Sequence, residues 1–462
     1  MKNKSRYSII LLLFFLVKIN NAVAQSNKNE AKKSEAANDY ITKMKAMADS
    51  IKNAKKEYKK NGANTNSNPN LPARLSNSMS DTKKNTIENA YKYLSPAEKE
   101  KVKNYPPVPE AFRTSIDAEE FLTSLKGVDV NGDVQKFSKE KSMPLTGFCI
   151  SYLSTKQKAE MIVKEAQKLE AEFLKNNPAI NFGAATGKTY VSENGLVYLP
   201  LGDVSFVDEV VDAKYISGNI QFLKENCIGI PDYVLMNDLK KNKGIYSLGL
   251  KGTLTIKFTN NALVDVNGPD LFVFEAGQIE PTNLDISKDG ITWINVGKIS
   301  GGTASVDISK FVKPNEYFYY VRLTDLNTQS SIAGADIDAI AAIGAAIKLS
   351  LNAEVLFDLG KAILKADGIT AIKKLAQQLQ TMPNAQLNID GFTDDIGTDE
   401  ANIKLSLQRA QAVGVILKEA LKSKTGFVYK ETGKGKANPV VPNISEENRK
   451  KNRRVEILVS PK

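Results

Sequence analysis

The segment GFTDDIGTD, residues 391–399, joins a predicted β-strand to a predicted α-helix near the C-terminal end of the 462-residue chain. The strand Gln386–Asp390 leads into this segment, and the helix Asp399–Leu421 begins where it ends. Either Thr398 or Asp399 can cap the helix, because both side chains carry an oxygen that accepts a first-turn N–H. The segment therefore fixes a strand–turn–helix unit.

Polar side chains follow one line along that helix. Asn402, Ser406 and Arg409 are spaced i, i+4 and i+7, which places them on one stripe spanning roughly 10 Å beside the apolar face. Asp394 lies in the turn that enters the helix, so its carboxylate can reach the same stripe. A carboxylate and a guanidinium facing one cleft suit a ligand that carries both an ammonium and a carboxylate. The residues leave a second interpretation open, in which Asp394 and Arg409 pair with each other.

Strands and helices alternate around this unit. We predict a strand at Leu351–Phe357, a helix at Lys365–Thr381, and further strands at Phe427–Thr432 and Arg454–Val459. Alternating elements of this length predict a small α+β domain of the βαβαβ type.

Four motifs in this region together resemble the OmpA-like peptidoglycan-binding domain, over residues 349–462. One difference is Phe392, which stands where many family members have His or Tyr, and we interpret it as a packing position. The four motifs are Phe357-Asp358-x-Gly-Lys361, Gly391-Phe-Thr-Asp394, Asn402-x-x-Leu-Ser-x-x-Arg409-Ala410 and Asn452-Arg-Arg-Val-Glu456.

The resemblance implies a ligand and a set of binding residues. Asp394 and Arg409 would hold the ammonium and the carboxylate of diaminopimelate in the peptide stem of peptidoglycan. The resemblance implies four supporting residues around that pair: Asn402, Thr393, Asp358 and Arg453.

Residues 196–346 have a different pattern, with short apolar runs divided by Gly, Asn, Asp and Pro. This predicts an all-β sandwich or jelly roll, and the stretch resembles a module of bacterial cell-surface proteins. Asp336 and Asp338 alternate along a strand and are expected to share a face. Oxygen ligands in loops suit calcium, whereas the alternative is that these acids form turns and aid solubility. The candidate calcium ligands are Asp265, Asp270, Asp336 and Asp338.

The N-terminal part divides into three segments. Residues 1–24 are predicted to be a secretory signal peptide, with an uncleaved anchor as the alternative, and no later segment is long and apolar enough to span a membrane. Residues 25–72 combine an amphipathic helix with a polar linker. This helix can dimerise as a coiled coil or cover another domain. Residues 73–195 are predicted to be mostly helical. The chain is therefore predicted to be multidomain: helical, then all-β, then α+β.

Composition excludes several kinds of chemistry. The chain has no histidine and two cysteines, which rules out Ser-His-Asp and Cys-His catalysis and a structural zinc site. Cys149 and Cys227 can form a disulfide after export or remain buried thiols. The net charge is +11, but the N-terminal lysines lack interleaved aromatic residues, and export argues against nucleic acid as a partner.

The sequence therefore predicts an exported, non-catalytic envelope protein, located in the periplasm at the outer membrane or cell wall of a Gram-negative-type bacterium. Its C-terminal domain would bind peptidoglycan, and the β-sandwich would serve adhesion or scaffolding, with carbohydrate or an envelope protein as partner. The alternative is a secreted glycan-active enzyme that uses the same domain as a tether.

Overall fold

The computed structural model describes residues 87–461 except 183–185, 193–194, 218–221, 233–243, 278, 327–332 and 345. The predicted signal peptide and the helical segment with its linker, residues 25–72, lie outside these described residues. The described residues belong to one compact unit, residues 70–462. Among them, no helix is long and apolar enough to cross a membrane.

Helices pack together at the start of the described chain. Ser95 and Thr114 each form a capping box with an acid three residues later, Glu98 and Asp117, so local side chains start the helices that follow them. A two-stranded hairpin packs beside the helices, with Val191 and the helices in one apolar cluster. Residues 188–192 are therefore a strand inside the segment predicted to be mostly helical. The elements are α1 Pro96–Lys101, α2 Ser115–Ser124, α3 Val130–Lys139, α4 Met143–Asn176, β1 Lys188–Ser192 and β2 Gly195–Leu199.

Two antiparallel sheets follow, and we call residues 209–342 the two-sheet region. Its strands are β3 Glu209–Lys214, β4 Tyr246–Ser247, β5 Thr253–Lys257, β6 Leu271–Glu275, β7 Thr282–Ser287, β8 Trp293–Ile299, β9 Thr303–Val306, β10 Tyr320–Asp325 and β11 Asp336–Ala342. The strand orders are β3-β5-β10-β7-β8 and β4-β11-β6-β9. Inward residues of both sheets form one hydrophobic cluster, because alternate residues of each strand point to the same side.

An Asp-Gly hairpin joins β7 to β8. Ser287 pairs with Trp293 across the turn, and the Asp289 carboxylate accepts N–H groups from Ile291 and Thr292 at 2.8 and 2.7 Å. The guanidinium carbon of Arg322 lies 4.3 Å from the centre of the Trp293 ring. The tryptophan therefore packs on the sheet.

The C-terminal part is a four-stranded mixed sheet with helices, in the strand order β12-β15-β13-β14. Its strands β13 and β14 are parallel, and the other pairs are antiparallel. The elements are β12 Ile347–Asn352, α5 Ala353–Leu356, α6 Ala366–Leu379, β13 Ala385–Gly391, α7 Asp399–Ala420, β14 Phe427–Gly433, α8 Glu446–Asn452 and β15 Arg454–Ser460.

One predicted strand in this part was wrong. The strand expected at Leu351–Phe357 ends at Asn352, and helix α5 begins immediately after it. The reason is local: the Asn352 side chain accepts the N–H of Glu354 at 2.7 Å and caps the helix. Helix α8 was not predicted at all.

The two cysteines lie in different parts of the fold. Cys149 is on α4 and Cys227 follows β3, and both are buried free thiols. Of the two alternatives that the sequence left open, the structure contains the free thiols.

Candidate functional site

A close backbone contact joins the end of β13 to helix α7. A Cβ added to Gly391 would overlap the carbonyl oxygen of Ser406, so only glycine lets the strand approach the helix this closely. The Ser406 hydroxyl accepts the Gly435 N–H at 3.0 Å, and the Gly435 carbonyl accepts the Thr393 N–H at 2.8 Å. Ser406 therefore holds the loop that leads to Asp394.

Asp394 lies in that loop and is 7% exposed. Its Oδ2 accepts a hydrogen bond from Nη1 of Arg453 at 2.6 Å, and its Oδ1 accepts the N–H of Ile396 at 3.2 Å. The sequence left open a pairing of Asp394 with Arg409, but the partner of Asp394 in the structure is Arg453.

Arg409 enters the same site from helix α7 and is 2% exposed. Its Nε donates to the Lys361 carbonyl at 2.9 Å, and its guanidinium carbon lies 5.4 Å from the centre of the Phe357 ring. Among the described residues its Nη1 has no hydrogen-bond partner. Burial, and then the positive charge of Arg453, lower the pKa of Arg409, against the opposing effect of Asp394. The site therefore holds a buried cation that its surroundings only partly compensate.

Arg453, one of the four supporting residues that the resemblance implied, connects several elements at the site. Besides Asp394, its guanidinium donates through Nη2 to Glu354 and to Glu446, each at 2.6 Å. Burial alone would lower the pKa of Arg453, but the hydrogen bonds to these three carboxylates raise it above its ordinary value. Sequence reasoning missed Glu354 and Glu446. The available signal was that each lies in the first turn of a helix, but this indicates only a favourable position for an acid.

The other predicted binding residues have different positions. Asn402 is 5% exposed, and its Nδ2 has no hydrogen-bond partner among the described residues. The Thr393 hydroxyl donates to the Asp394 carbonyl at 2.9 Å, so it supports the loop. Asp358 is exposed and contacts Lys361 and Lys365 at 3.5 and 3.7 Å, so its role in the pocket stays a prediction.

The profile of the OmpA family matches residues 356–453. These residues form an OmpA-family domain. The OmpA-family domain thus contains Asp394, Arg409, Asn402 and Arg453, while Glu354 lies just before it.

Curated relatives are similar to part of the chain. The probable lipoprotein YiaD of Escherichia coli is 31% identical over 143 residues, which are 31% of this chain and 64% of that protein. Outer membrane protein A of Bordetella avium is 41% identical over 117 residues, 25% of this chain and 58% of that protein. The peptidoglycan-binding protein ArfA of Mycobacterium tuberculosis is 37% identical over 101 residues, 22% of this chain and 30% of that protein. The chain thus spans less than two thirds of each of these relatives.

Solved structures also match this OmpA-family region. The periplasmic domain of Helicobacter pylori MotB, residues 97–256, is 30% identical, and the match covers 25% of this chain and 83% of that one with a TM-score of 0.23. The cell wall anchor of the T6SS from Pseudomonas aeruginosa is 28% identical, with 25% and 82% coverage and a TM-score of 0.23.

The four candidate calcium ligands do not form one group. Strand β11 begins at Asp336, whereas the Asp270 carbonyl accepts the N–H of Ile343 beyond the other end of that strand, at 2.8 Å. Seven residues of strand separate the two acids by roughly 20 Å. Asp338 lies at a register shift between Ile337 and Ala339, and such a bulge disrupts the regular alternation on which the shared face with Asp336 was based.

A different acidic group forms around Asp270. Ligand oxygens of Asp265, Asp270 and Asp307 all lie within 4.8 Å of one another. The buried Asp270 carboxylate accepts the N–H groups of Val266 and Ile308 at 2.6 and 2.7 Å. Burial raises the pKa of Asp270 to about 7. Asp307 is the member that the sequence did not indicate.

Proposed function

We propose that this protein binds peptidoglycan non-covalently through its OmpA-family domain. In this proposal Arg409 receives the carboxylate and Asp394 the ammonium of a diaminopimelate-type stem peptide. The observation that carries the proposal is the buried guanidinium of Arg409, whose Nη1 lacks a partner within the described residues.

An unpaired buried donor favours an incoming acceptor. Leaving a buried polar group without a hydrogen bond costs about 1–3 kcal/mol, and more when the group is charged. The Nη1 of Arg409 and the Nδ2 of Asn402 are two such donors. A carboxylate can accept from a guanidinium and neutralise it, so an anionic ligand would remove the cost at Arg409.

Asp394 supports the second half of the proposal. Its Oδ2 accepts a hydrogen bond from Arg453, while its Oδ1 accepts, from the residues that the structure describes, only the longer bond of Ile396, at 3.2 Å. A carboxylate oxygen has two lone pairs, so Oδ1 keeps capacity for an ammonium donor. The name of the relative ArfA as a peptidoglycan-binding protein agrees with this ligand.

We assign the whole chain a non-catalytic role in the cell envelope, exported to the periplasm. The relatives named as a lipoprotein and as outer membrane proteins support this location. In this role the OmpA-family domain anchors the two-sheet region, which would act in adhesion or scaffolding, with carbohydrate or an envelope protein as partner. The alternative is a wall-tethered glycan-active enzyme.

Sedimentation with isolated peptidoglycan sacculi tests the proposal on the full-length protein. We expect Asp394→Ala and Arg409→Ala each to reduce the bound fraction at least about tenfold, because each removes a charge-assisted hydrogen bond to the ligand. Free diaminopimelate should displace the wild-type protein from the sacculi.

Two matched controls separate the site from general charge. Asp395→Ala removes the neighbouring exposed acid, and Lys404→Ala removes an exposed cation from the same helix; both should bind like the wild type. Full binding by both site variants would contradict the assignment. Release of soluble glycan fragments by the wild-type protein would favour the enzyme alternative.

We further propose that calcium binds at Asp265, Asp270 and Asp307, in place of the four aspartates that the sequence indicated. Their mutual distances support this set, and carboxylate oxygens are preferred calcium ligands. Calcium should raise the melting temperature of the wild-type protein and leave that of Asp307→Asn unchanged, as measured by calorimetry against a chelator. Equal melting temperatures of the wild type in calcium and in chelator would reject this site.

A further inference from the structure

Three separate elements supply carboxylates to one guanidinium beside the proposed ligand site. Arg453 is 5% exposed and donates to Asp394 in the loop before α7, to Glu354 in α5 and to Glu446 in α8. Each of these hydrogen bonds is 2.6 Å long. Asp394 therefore shares the guanidinium of Arg453 with two other carboxylates.

The charges in this group do not balance. Hydrogen bonds from Arg453 and then from Arg449 lower the pKa of Glu446, so Glu446 is ionised at neutral pH. Arg453 and Arg449 together supply two guanidiniums to these three carboxylates, which leaves an excess of one negative charge in the group. This excess favours a cation, because charges inside a protein interact more strongly than in water.

The two glutamates also occupy the Nη2 group of Arg453, which could otherwise donate to Asp394. Both bind Nη2, whereas Asp394 binds Nη1. Without them, Arg453 would be free to pair with Asp394 through two parallel bonds, the arrangement that guanidinium and carboxylate prefer. Asp394 would then be neutralised within the protein, and its affinity for a ligand ammonium would fall.

Local structure keeps the two glutamates in place. The main-chain N–H of Glu354 donates to Oδ1 of the cap residue Asn352 at 2.7 Å. Nζ of Lys365 donates to the Glu354 carbonyl at 2.9 Å. Glu446 follows the cap residue Ser445. The two glutamate side chains are 41% and 47% exposed, so they lie at the solvent side of the buried Arg453.

We propose that Glu354 and Glu446 determine the preference of this site for a ligand with a free ammonium group. They are positioning residues that act through Arg453: by sharing its guanidinium they leave the Asp394 carboxylate available to the ligand. This inference rests on the proposed function of the Asp394 and Arg409 site.

Binding of two ligands to the full-length protein tests the inference by calorimetry. The ligands are diaminopimelate and its di-N-acetylated derivative, which keeps both carboxylates and, with both amino groups acetylated, has no ammonium. We expect the wild type to prefer free diaminopimelate at least about tenfold, as expected for one charge-assisted hydrogen bond. In Glu354→Gln/Glu446→Gln this ratio should fall to near one, while the acetylated ligand binds about as it does to the wild type.

The matched control is Glu400→Gln/Glu447→Gln. It removes the same charge from the first turns of α7 and α8 at exposed acids, and its ligand ratio should equal that of the wild type. The single variant Glu446→Gln changes a half-exposed side chain and keeps the test valid if the double variant unfolds; its ratio should fall part of the way. If the two glutamates had a purely structural role, Glu354→Gln/Glu446→Gln would bind both ligands more weakly by the same factor.

The outcomes separate the two proposals. An unchanged ratio in folded Glu354→Gln/Glu446→Gln would overturn the inference and leave the proposed function standing. Failure of the wild type to bind either ligand would overturn the proposed function and the inference with it.

Discussion

At the scale of single residues, the motif at 452–456 shows how one short run serves several contacts. The side-chain oxygen of Asn452 accepts the N–H groups of Val440 and Val441 at 2.8 and 3.2 Å, so it closes the loop before α8. Arg453 binds the acids around the site. The guanidinium carbon of the next residue, Arg454, lies 3.9 Å from the centre of the Phe392 ring. This contact agrees with our interpretation of Phe392 as a packing position. Polar residues in this run therefore hold both the loop and the site.

Gly391 gives a prediction at this scale. The substitution Gly391→Ala should destabilise the protein by about 1–3 kcal/mol, because the added Cβ overlaps the Ser406 carbonyl and the backbone must shift. Urea unfolding measures the effect. The control is Gly147→Ala within α4, where a Cβ meets nothing within 4 Å, and alanine should stabilise the helix by up to about 1 kcal/mol. Equal stability of Gly391→Ala and the wild type would contradict this reading of the contact.

At the scale of elements, two buried acids, Glu275 and Asp336, lie at the paired ends of β6 and β11, and a third buried acid, Glu280, lies just before β7. Burial, and then the charges of Glu280 and Asp336, raise the pKa of Glu275 to about 9, although N–H groups of Gly302 and Glu280 bind its carboxylate. Burial raises the pKa of Asp336 to about 8, and Glu280 adds to this. Both acids are therefore protonated at neutral pH in the folded chain.

Because of these two acids, we expect the folded protein to lose stability as the pH rises. Their folded pKa values exceed the unfolded values of about 4. Their contribution to the free energy of unfolding is therefore complete below about pH 4 and is lost progressively as the pH rises through about 8 to 9. The melting temperature of the wild type should fall across this range more steeply than that of Glu275→Gln/Asp336→Asn, whose amides do not titrate.

The control for this measurement is Asp367→Asn/Glu400→Gln, which changes two exposed acids. Its pH profile should be as steep as that of the wild type. Parallel profiles for the wild type and Glu275→Gln/Asp336→Asn would show that the buried pair makes no such contribution.

At the scale of the whole molecule, the OmpA-family domain is packed against residues from outside its matched range. Phe182 and Leu201 lie in the same hydrophobic cluster as its core, and the Thr381 hydroxyl donates to the Phe182 carbonyl at 3.3 Å. Outside the matched range, Lys348 of β12 contacts Glu456 of β15 at 3.3 Å, and its Nζ lies 4.7 Å from the centre of the Tyr319 ring, just before β10. The candidate site is therefore held within a larger compact unit, which is why its tests use the full-length protein.

The elements themselves were predictable wherever their cause is local. The strands at 385–391 and 427–433 and the helix Asp399–Ala420 lie within a residue or two of their expected positions, because apolar periodicity and cap residues depend on consecutive positions. The wrong strand at Leu351–Phe357 has the same kind of origin, since its apolar residues also fit a strand and the Asn352 cap was overlooked.

Consecutive residues alone specify the strand–turn–helix unit, the polar stripe from Asn402 to Arg409 and the position of Asp394 in the turn before that helix. The partners of the charged side chains depend on the tertiary fold. Asp394 binds Arg453, 59 positions away, and Arg453 binds Glu354, 99 positions away. Sheet packing likewise separated Asp336 from Asp270. The physical reason is that helix and strand periods depend on neighbouring residues, whereas ion pairs depend on which elements the folded core brings side by side.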